Sequence, residues 1–235
     1  MPELDDERVV RITPDINVFV ADIISRWRRR RATATSRIVE AVTSGRCAAG
    51  PVQLVTSLPI IESYADVLRG RLGYDPETAQ EKAWLLEQYT REGAIPTNPL
   101  LPVGPGYVPF ETEGDARQAA AADLKRDDGK LFDEIRDDRY VLETALVGRA
   151  DLLITCDVRD FRRGPAVRLQ RNDVLLFPLA DRTLVICSPA FAAYWLGLGV
   201  VPDAQFITAN PLDFRPYACE HSEVSEHKTK GPNET

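Results

Sequence analysis

Strand-like and helix-like segments alternate along most of this chain, and this alternation limits the folds open to it. Residues 7–12 and 52–57 are rich in β-branched residues, and "DLLIT" at 151–155 is a short apolar run, so all three favour strands. Apolar residues at helical spacing follow the first two strands, at positions 16, 20, 23 and 27 and again at 61, 65, 68 and 72. Strands that alternate with helices predict an α/β fold, a three-layer α/β/α sandwich with a mostly parallel central sheet.

The length and composition are those of a globular protein. The chain has 235 residues, of which 44% are hydrophobic and 28% charged, so it is long enough to bury a sizeable core. We expect one domain over residues 1–219. Five prolines between positions 94 and 110 mark residues 94–136 as an inserted connector and helix. The polar residues 220–235 are expected to be a disordered tail.

The sequence also indicates where the protein resides. No apolar run resembles a membrane-spanning helix, and the acidic N-terminus lacks the apolar region of a secretory signal. The four cysteines form no CxxC pair, and both histidines lie in the tail, so a zinc site is not expected. Free thiols are typical of a reducing cytoplasm, which is the predicted location.

Acidic residues stand at comparable places relative to the predicted strands. Asp15 follows the first strand, Asp157 follows the strand at 151–155, and Glu62 lies in the helix after the second strand. Because the carboxyl ends of parallel strands form the ligand crevice of such a sheet, Asp15 and Asp157 are expected to meet there. Asp138 lies in the first turn of a predicted helix whose N-terminus points to the same edge.

Each of these acids also has an ordinary explanation as a turn residue, a helix cap or a solvated position. Their convergence on one edge is more informative, because carboxylates at close range repel one another. A cluster of three or four carboxylates favours a hard divalent cation, Mg²⁺ or Mn²⁺.

A basic run follows the first predicted helix, although the net charge of the chain is −7. Positions 26–37, "RWRRRRATATSR", contain six arginines and no acid. The run is either a solvated helix end with favourable cations or a phosphate-binding patch. The residues of that patch would be Arg26, Arg28, Arg29, Arg30 and Arg31. The spacing of Trp27 from Ile23 and Ile24 favours core packing over stacking on a base.

Three segments resemble the motifs of PIN-domain ribonucleases. "DDRYVLETALVGRADLLITCDVRDF" at 137–161 looks like the C-terminal signature of that family, "ITPDINVFVADII" like its N-terminal motif, and "TSLPIIESYADVL" like its middle motif. They occur in the expected order and cover most of residues 7–70 and 137–197. Three motifs in order are a fairly specific signal.

The resemblance implies a PIN-like fold and a metal-dependent endoribonuclease, often the toxin of a bacterial toxin–antitoxin pair. It implies an RNA substrate, an antitoxin protein and a homodimer as partners, and Mg²⁺ or Mn²⁺ as the cofactor. Asp15, Glu62, Asp138 and Asp157 match the acidic quartet of the family. Asn17 matches the residue that steadies the first acid, Thr155 a hydroxyl residue near the site, and Asp160 a frequent fifth acid, while Asp137 is a further candidate ligand.

The chain departs from the family pattern at Pro14, where a strand residue is usual, and in the long segment 94–136. Two other functions remain open at this point. A phosphatase or phosphotransferase would use Asp15 as a covalent nucleophile, although it would prefer an aspartate where Asn17 stands. A catalytically inactive PIN-like module would bind RNA or protein without cutting.

Overall fold

A computed structural model describes residues 8–95, 100–101, 140–161, 167–168 and 173–210. The strands are β1 Val10–Pro14, β2 Arg46–Cys47, β3 Gly50–Leu54, β4 Thr56–Ser57, β5 Leu100–Leu101, β6 Leu152–Ile154, β7 Val167–Arg168, β8 Val174–Pro178 and β9 Thr183–Cys187. The helices are α1 Ile16–Trp27, α2 Ala34–Ser44, α3 Leu58–Gly70, α4 Pro76–Arg91, α5 at 140–147, α6 Pro189–Gly197 and α7 Ala204–Ala209, with a 3₁₀ helix at Val158–Phe161.

Seven of the strands form one mixed sheet in the order β2-β3-β1-β6-β9-β8-β7. The four central strands β3, β1, β6 and β9 are parallel to one another. The three outer strands β2, β8 and β7 are each antiparallel to their neighbours. The chain is therefore an α/β protein, and β8 and β9 form an antiparallel hairpin. Strands β4 and β5 form a separate parallel pair.

Apolar side chains of the central strands alternate between the two faces of the sheet, as the two-residue period of a strand requires. Leu152 and Ile154 belong to a hydrophobic cluster with residues of α1, α2, α3, α4 and α6. Leu153, between them, belongs to a second cluster with residues of α5 and the 3₁₀ helix. Helices thus pack on both faces of the sheet, which buries strands β1, β6 and β9 from two sides.

The first strand begins and ends later than its β-branched residues predict. It spans Val10–Pro14, and Pro14 is paired with Ile154 of β6. On its other side β1 is in register with β3 only as far as Ile12 and Leu54. Pro14 is therefore tolerated as the last strand residue, because its missing N–H has no strand partner there.

Helices α3 and α4 begin with different chemistry. Asp75 caps α4, and its side chain accepts a hydrogen bond of 2.9 Å from the backbone N–H of Thr78. Ser57 precedes α3, but its side chain does not cap that helix. Its hydroxyl instead pairs with the Thr144 hydroxyl at 2.8 Å, which ties α5 to the start of α3.

Three further points concern membrane helices, the predicted insertion and tail, and a short helix. Within the described ranges, no helix is long and apolar enough to cross a membrane. The predicted insertion 94–136, apart from residues 94–95 and 100–101, and the predicted tail 220–235 lie outside the described residues. The short helix α7 was not predicted, since its six residues are too few for a periodic pattern.

Trp195 in α6 provides a test of the larger hydrophobic cluster. Its side chain is 1% exposed and lies 5.3 Å from the Phe191 ring. We expect Trp195→Ala to lower the free energy of unfolding by about 3–5 kcal/mol, because it leaves a large cavity. Urea denaturation measures the loss. Trp84→Ala is the matched control: Trp84 is 59% exposed, so that change should stay within about 0.5 kcal/mol. Equal losses for the two variants would contradict this packing.

Candidate active site

A ligand crevice is expected at the point in the sheet where the strand order reverses. Strand β1 lies between β3, the next long strand in the chain, and β6, to which the chain returns much later. In open α/β sheets, such a switch point is where ligands bind, beyond the carboxyl ends of the strands. Asp15 follows β1 at this edge, and its N–H donates a 2.8 Å hydrogen bond to the carbonyl of Ile154, the last residue of β6. The structure therefore brings the segment after β6 to Asp15.

The hydroxyl of Thr155 is the centre of a hydrogen-bond network at this edge. It donates to Oδ2 of Asp15 at 2.7 Å. It also accepts from Nδ2 of Asn17 at 3.0 Å and from the N–H of Asp157 at 3.1 Å. One donated and two accepted bonds use the full capacity of a hydroxyl group. Thr155 thereby fixes both its own turn and the Asp15 side chain.

Asn17 completes the frame from the first turn of α1. Its Nδ2 donates a 2.6 Å hydrogen bond to Oδ2 of Asp15, and its Oδ1 accepts one of 2.9 Å from the N–H of Cys156. Asn17 therefore links the residue after β1 to the turn after β6. Asn17 and Thr155, which the family resemblance names as neighbours of Asp15, both donate hydrogen bonds to its carboxylate.

The Asp15 carboxyl is only 9% exposed, and this burial disfavours its charged form. Burial raises the pKa of Asp15 from its ordinary 3.8 to about 6. Hydrogen bonds from Thr155 and from the N–H groups of Ile16 and Asn17 act in the opposite direction, and the charge of Asp160 raises the pKa further. The anion of Asp15 is thus held at a cost that a nearby cation would relieve.

Asp157 and Asp160 lie on a short turn beside Asp15. The Asp157 side chain accepts a 3.1 Å hydrogen bond from the N–H of Arg159, and its carbonyl accepts one of 3.3 Å from the N–H of Asp160. Val158 and Phe161 of the same turn are buried in the second hydrophobic cluster. Both aspartates are exposed, but the buried residues between and after them anchor the backbone that carries them.

Glu62, Asp137 and Asp138 are the other predicted ligands. Glu62 is exposed in α3, and Asp137 and Asp138 lie outside the described residues. In the part of the chain that the structure describes, no three His, Cys, Asp or Glu residues stand together in a way that would hold a metal ion. Hydrogen bonds join Asp15, Asn17 and Thr155 directly and reach the N–H of Asp157 through the Thr155 hydroxyl, while Asp160 lies on the adjoining 3₁₀ helix.

A buried carboxylate that the sequence reading missed lies further along α1. Asp22 is 4% exposed, and its Oδ2 accepts a 2.8 Å hydrogen bond from Nε of Arg26. Its negative charge adds to the effect of burial in raising the pKa of Tyr64. The available signal was the i,i+4 spacing of Asp22 and Arg26 together with the i,i+4 spacing of Val18 and Asp22. Arg26, predicted to contact RNA, is therefore engaged with Asp22.

Glu143 in α5 is a second buried acid that the sequence reading passed over. It lies beside Thr144, whose hydroxyl bonds to that of Ser57.

The prediction that Trp27 packs in the core is wrong, because its side chain is 55% exposed. Trp27 is the last helical residue, and the buried residues of α1 are instead Val18, Phe19, Ala21, Asp22 and Ser25.

Comparisons of this chain with protein-family models, with curated proteins and with solved structures find no match. The geometry of the site therefore carries the functional argument.

The raised pKa of Asp15 makes stability depend on pH. The folded state binds this proton more tightly than the unfolded state, so the stabilisation is full below pH ~4 and is lost as the pH rises through ~6. Relative to Asp15→Asn, the wild-type free energy of unfolding should fall by about 3 kcal/mol between pH ~4 and ~7. Urea denaturation of both proteins in EDTA measures this difference. Parallel pH profiles would show that Asp15 has an ordinary pKa.

Removing the Thr155 hydroxyl should raise the pKa of Asp15 above its wild-type value, because the hydroxyl donates to the charged carboxylate. Thr155→Val should also cost about 1–3 kcal/mol of stability, since it leaves the Asp157 N–H without its acceptor. Carboxyl ¹³C NMR titration measures the pKa, and urea denaturation the stability. Thr43→Val is the control, because the exposed Thr43 hydroxyl donates to the carbonyl of Glu40 in its own helix. An unchanged Asp15 titration in Thr155→Val would refute the hydroxyl's role.

Proposed function

We propose that the protein is a metal-dependent endoribonuclease that hydrolyses RNA phosphodiester bonds with Mg²⁺ or Mn²⁺. One observation carries the proposal. Asp15 is a buried carboxylate at the switch point of the sheet, framed by Asn17 and Thr155, with Asp157 and Asp160 on the adjoining turn. A titratable group with a perturbed pKa in a ligand crevice is a candidate functional site on physical grounds.

The donor chemistry of this site fits a hard divalent cation. Its side chains offer carboxylate oxygens, which Mg²⁺ and Mn²⁺ prefer. The softer donor nearby is the thiol of Cys156. Burial destabilises the Asp15 anion, so a bound cation would offset an existing electrostatic cost. Asp15 and Asp157 would hold the ion directly, and Glu62 and Asp138 directly or through water. Asp160 and Asp137 are the further candidate ligands.

The chain's own residues would orient and neutralise the reacting groups. Thr155 and Asn17 favour the charged form of Asp15 by donating to it, and they keep its carboxylate aimed at one place. The short turn Val158–Phe161 directly follows Asp157 and contains Asp160, so both lie on one stretch of anchored backbone. A divalent ion held there would lower the pKa of a bound water and offset the charge that develops on the phosphate.

The proposal includes a PIN-like, mostly parallel three-layer core as the fold. It is supported by the four parallel central strands, by the helices on both faces, and by the order of the three motifs along the chain. A cytoplasmic toxin, with an antitoxin protein and a second copy of the chain as partners, follows from the resemblance. A neighbouring gene that encodes an antitoxin would support the toxin part of the proposal.

A second candidate function has its own observation in favour. Within the described ranges, no group of three metal ligands is formed. This favours a catalytically inactive PIN-like module that binds RNA or protein without cutting. The two candidates differ in one result: only the nuclease cleaves RNA when metal is added.

Cleavage of a panel of labelled RNAs by the purified full chain tests the nuclease proposal. We expect wild-type cleavage that depends on Mg²⁺ or Mn²⁺ and stops in EDTA. Asp15→Asn and Asp138→Asn should each lower the initial rate at least ~100-fold, because each removes charge stabilisation worth several kcal/mol. Glu62→Gln shows whether that exposed acid contributes.

Asp66→Asn is the control, since Asp66 is an exposed aspartate of α3 that pairs with Arg69. Its rate should equal that of the wild type. Full activity in both Asp15→Asn and Asp138→Asn would sink the assignment of the site. RNA binding by the wild type without any metal-dependent cleavage would favour the inactive module.

A further inference from the structure

The chain forms a fixed turn of arginines directly after α1. Hydrogen bonds run from the N–H of Arg28 to Ile24, and from the N–H of Arg29 to Arg26, each at 3.0 Å. Another of 2.9 Å runs from the N–H of residue 30 back to the carbonyl of Ser25. Arg29 has a left-handed backbone with φ 56°, which an L-residue adopts only when its surroundings hold it there. The turn therefore presents its side chains from a defined backbone.

Three arginines of this turn have no ion-pair partner among the described residues. Arg28, Arg29 and Arg31 are exposed, and they form no ion pair with any residue that the structure describes. Arg26 differs from them because it neutralises the buried Asp22. Guanidinium groups bind phosphate oxygens in a bidentate fashion, so three exposed arginines on one turn are complementary to a phosphate backbone.

Aromatic side chains continue this basic turn toward α4. Trp27 is 55% exposed, and its ring lies 5.9 Å from the half-buried ring of Tyr74. Nζ of Lys82 lies 5.3 Å from the centre of the same Tyr74 ring. An exposed indole that is supported from one side by a second ring and bordered by cations is the arrangement on which unpaired bases stack.

Trp84 shows that exposure alone does not create such a surface. It is 59% exposed on α4, as exposed as Trp27. Its neighbours on the outer face of that helix include Glu77, Gln80, Glu81 and Gln88, an environment without the clustered arginines of the α1 turn. Trp84 is therefore a matched tryptophan without the charge complementarity.

We propose that Trp27, Arg28, Arg29, Arg31, Tyr74 and Lys82 form a binding surface for single-stranded RNA, separate from the Asp15 site. The identification of RNA as the ligand rests on the proposed function. The choice of single-stranded RNA rests on the exposed indole, because a base can stack on it only after leaving a duplex. Helix α1 has 12 residues and separates this surface from Asp15 by about 18 Å along its axis. A strand stacked at ~3.4 Å per nucleotide would need about five nucleotides to span that distance.

The test is equilibrium binding of a fluorescein-labelled single-stranded RNA of about 12 nucleotides to the full chain, measured by fluorescence anisotropy in EDTA. Trp27→Ala should raise the Kd about 5- to 100-fold, the effect of losing one stacked base. Trp27→Tyr, which keeps an aromatic ring, should retain most of the affinity. Trp84→Ala should leave the Kd unchanged. Circular dichroism confirms that each variant is folded, which is expected because the changed residues are exposed.

The arginines are tested by the salt dependence of the same binding. Arg28, Arg29 and Arg31 are replaced together by alanine, and in a matched control together by lysine. The alanine variant should reduce the slope of log K against log salt by about 2, since each contact to a single strand contributes about 0.7. The lysine variant, which keeps the three charges, should retain the wild-type slope.

The proposal is overturned if Trp27→Ala and Trp84→Ala have the same Kd, or if the alanine variant keeps the wild-type slope. Either result would also be expected if this surface bound a protein instead of RNA. Metal-dependent cleavage of the same RNA, measured beside its binding, separates this proposal from the nuclease proposal. Trp27-dependent binding without any cleavage would sink the nuclease and leave the surface standing, and cleavage with Trp27-independent binding would do the reverse.

Discussion

The parallel pairing of β1 with β6 is the contact on which the rest of the site depends. Pro14 lies opposite Ile154 in that pairing, and the N–H of Asp15 extends the ladder by one bond to the Ile154 carbonyl. This register places Asp15 next to Thr155, although 140 residues separate them in the chain. A slip of one residue would turn the side chains of the strand to the opposite face, so both the site and the two hydrophobic clusters share this one register.

The site itself balances burial against charge. Burial at the switch point makes the Asp15 anion unfavourable, while Asn17 and Thr155 donate hydrogen bonds that favour it. The carboxyl is therefore held close to the point where its charge changes with small changes in its surroundings. A site in this condition responds strongly to a bound cation, which is the physical basis of the proposed metal chemistry. The same balance explains why the framing residues are amide and hydroxyl groups, which can donate to a carboxylate without adding charge.

Helix α1 joins two regions with opposite electrostatic character. Its N-terminal end carries the acidic site, and its C-terminal end carries exposed arginines and Trp27. Between them, the buried Asp22 pairs with the exposed Arg26. In the proposed arrangement, an RNA strand is attracted to the basic end, while cleavage takes place near the acidic end.

The sequence by itself determined the alternation of strands and helices and the place of Asp15 and Thr155 at strand ends. These follow from local patterns, namely β-branched runs, helical spacing and turn residues, and local patterns survive in any tertiary context that buries their apolar face. Asn17 and Thr155 were expected near Asp15 through the resemblance alone.

Only the tertiary structure decided the exposure of individual side chains and the partners of the charged ones. Trp27 has the spacing of a core residue but lies at the end of α1, where Tyr74 covers only one side of it. Aspartate is a residue type that is mostly exposed, but Asp22 is buried and paired with Arg26. Ser57 has the position of a helix cap, yet its hydroxyl pairs with Thr144. In each case the local pattern permits two outcomes, and the choice depends on which distant element packs against that residue, a quantity that no short stretch of sequence contains.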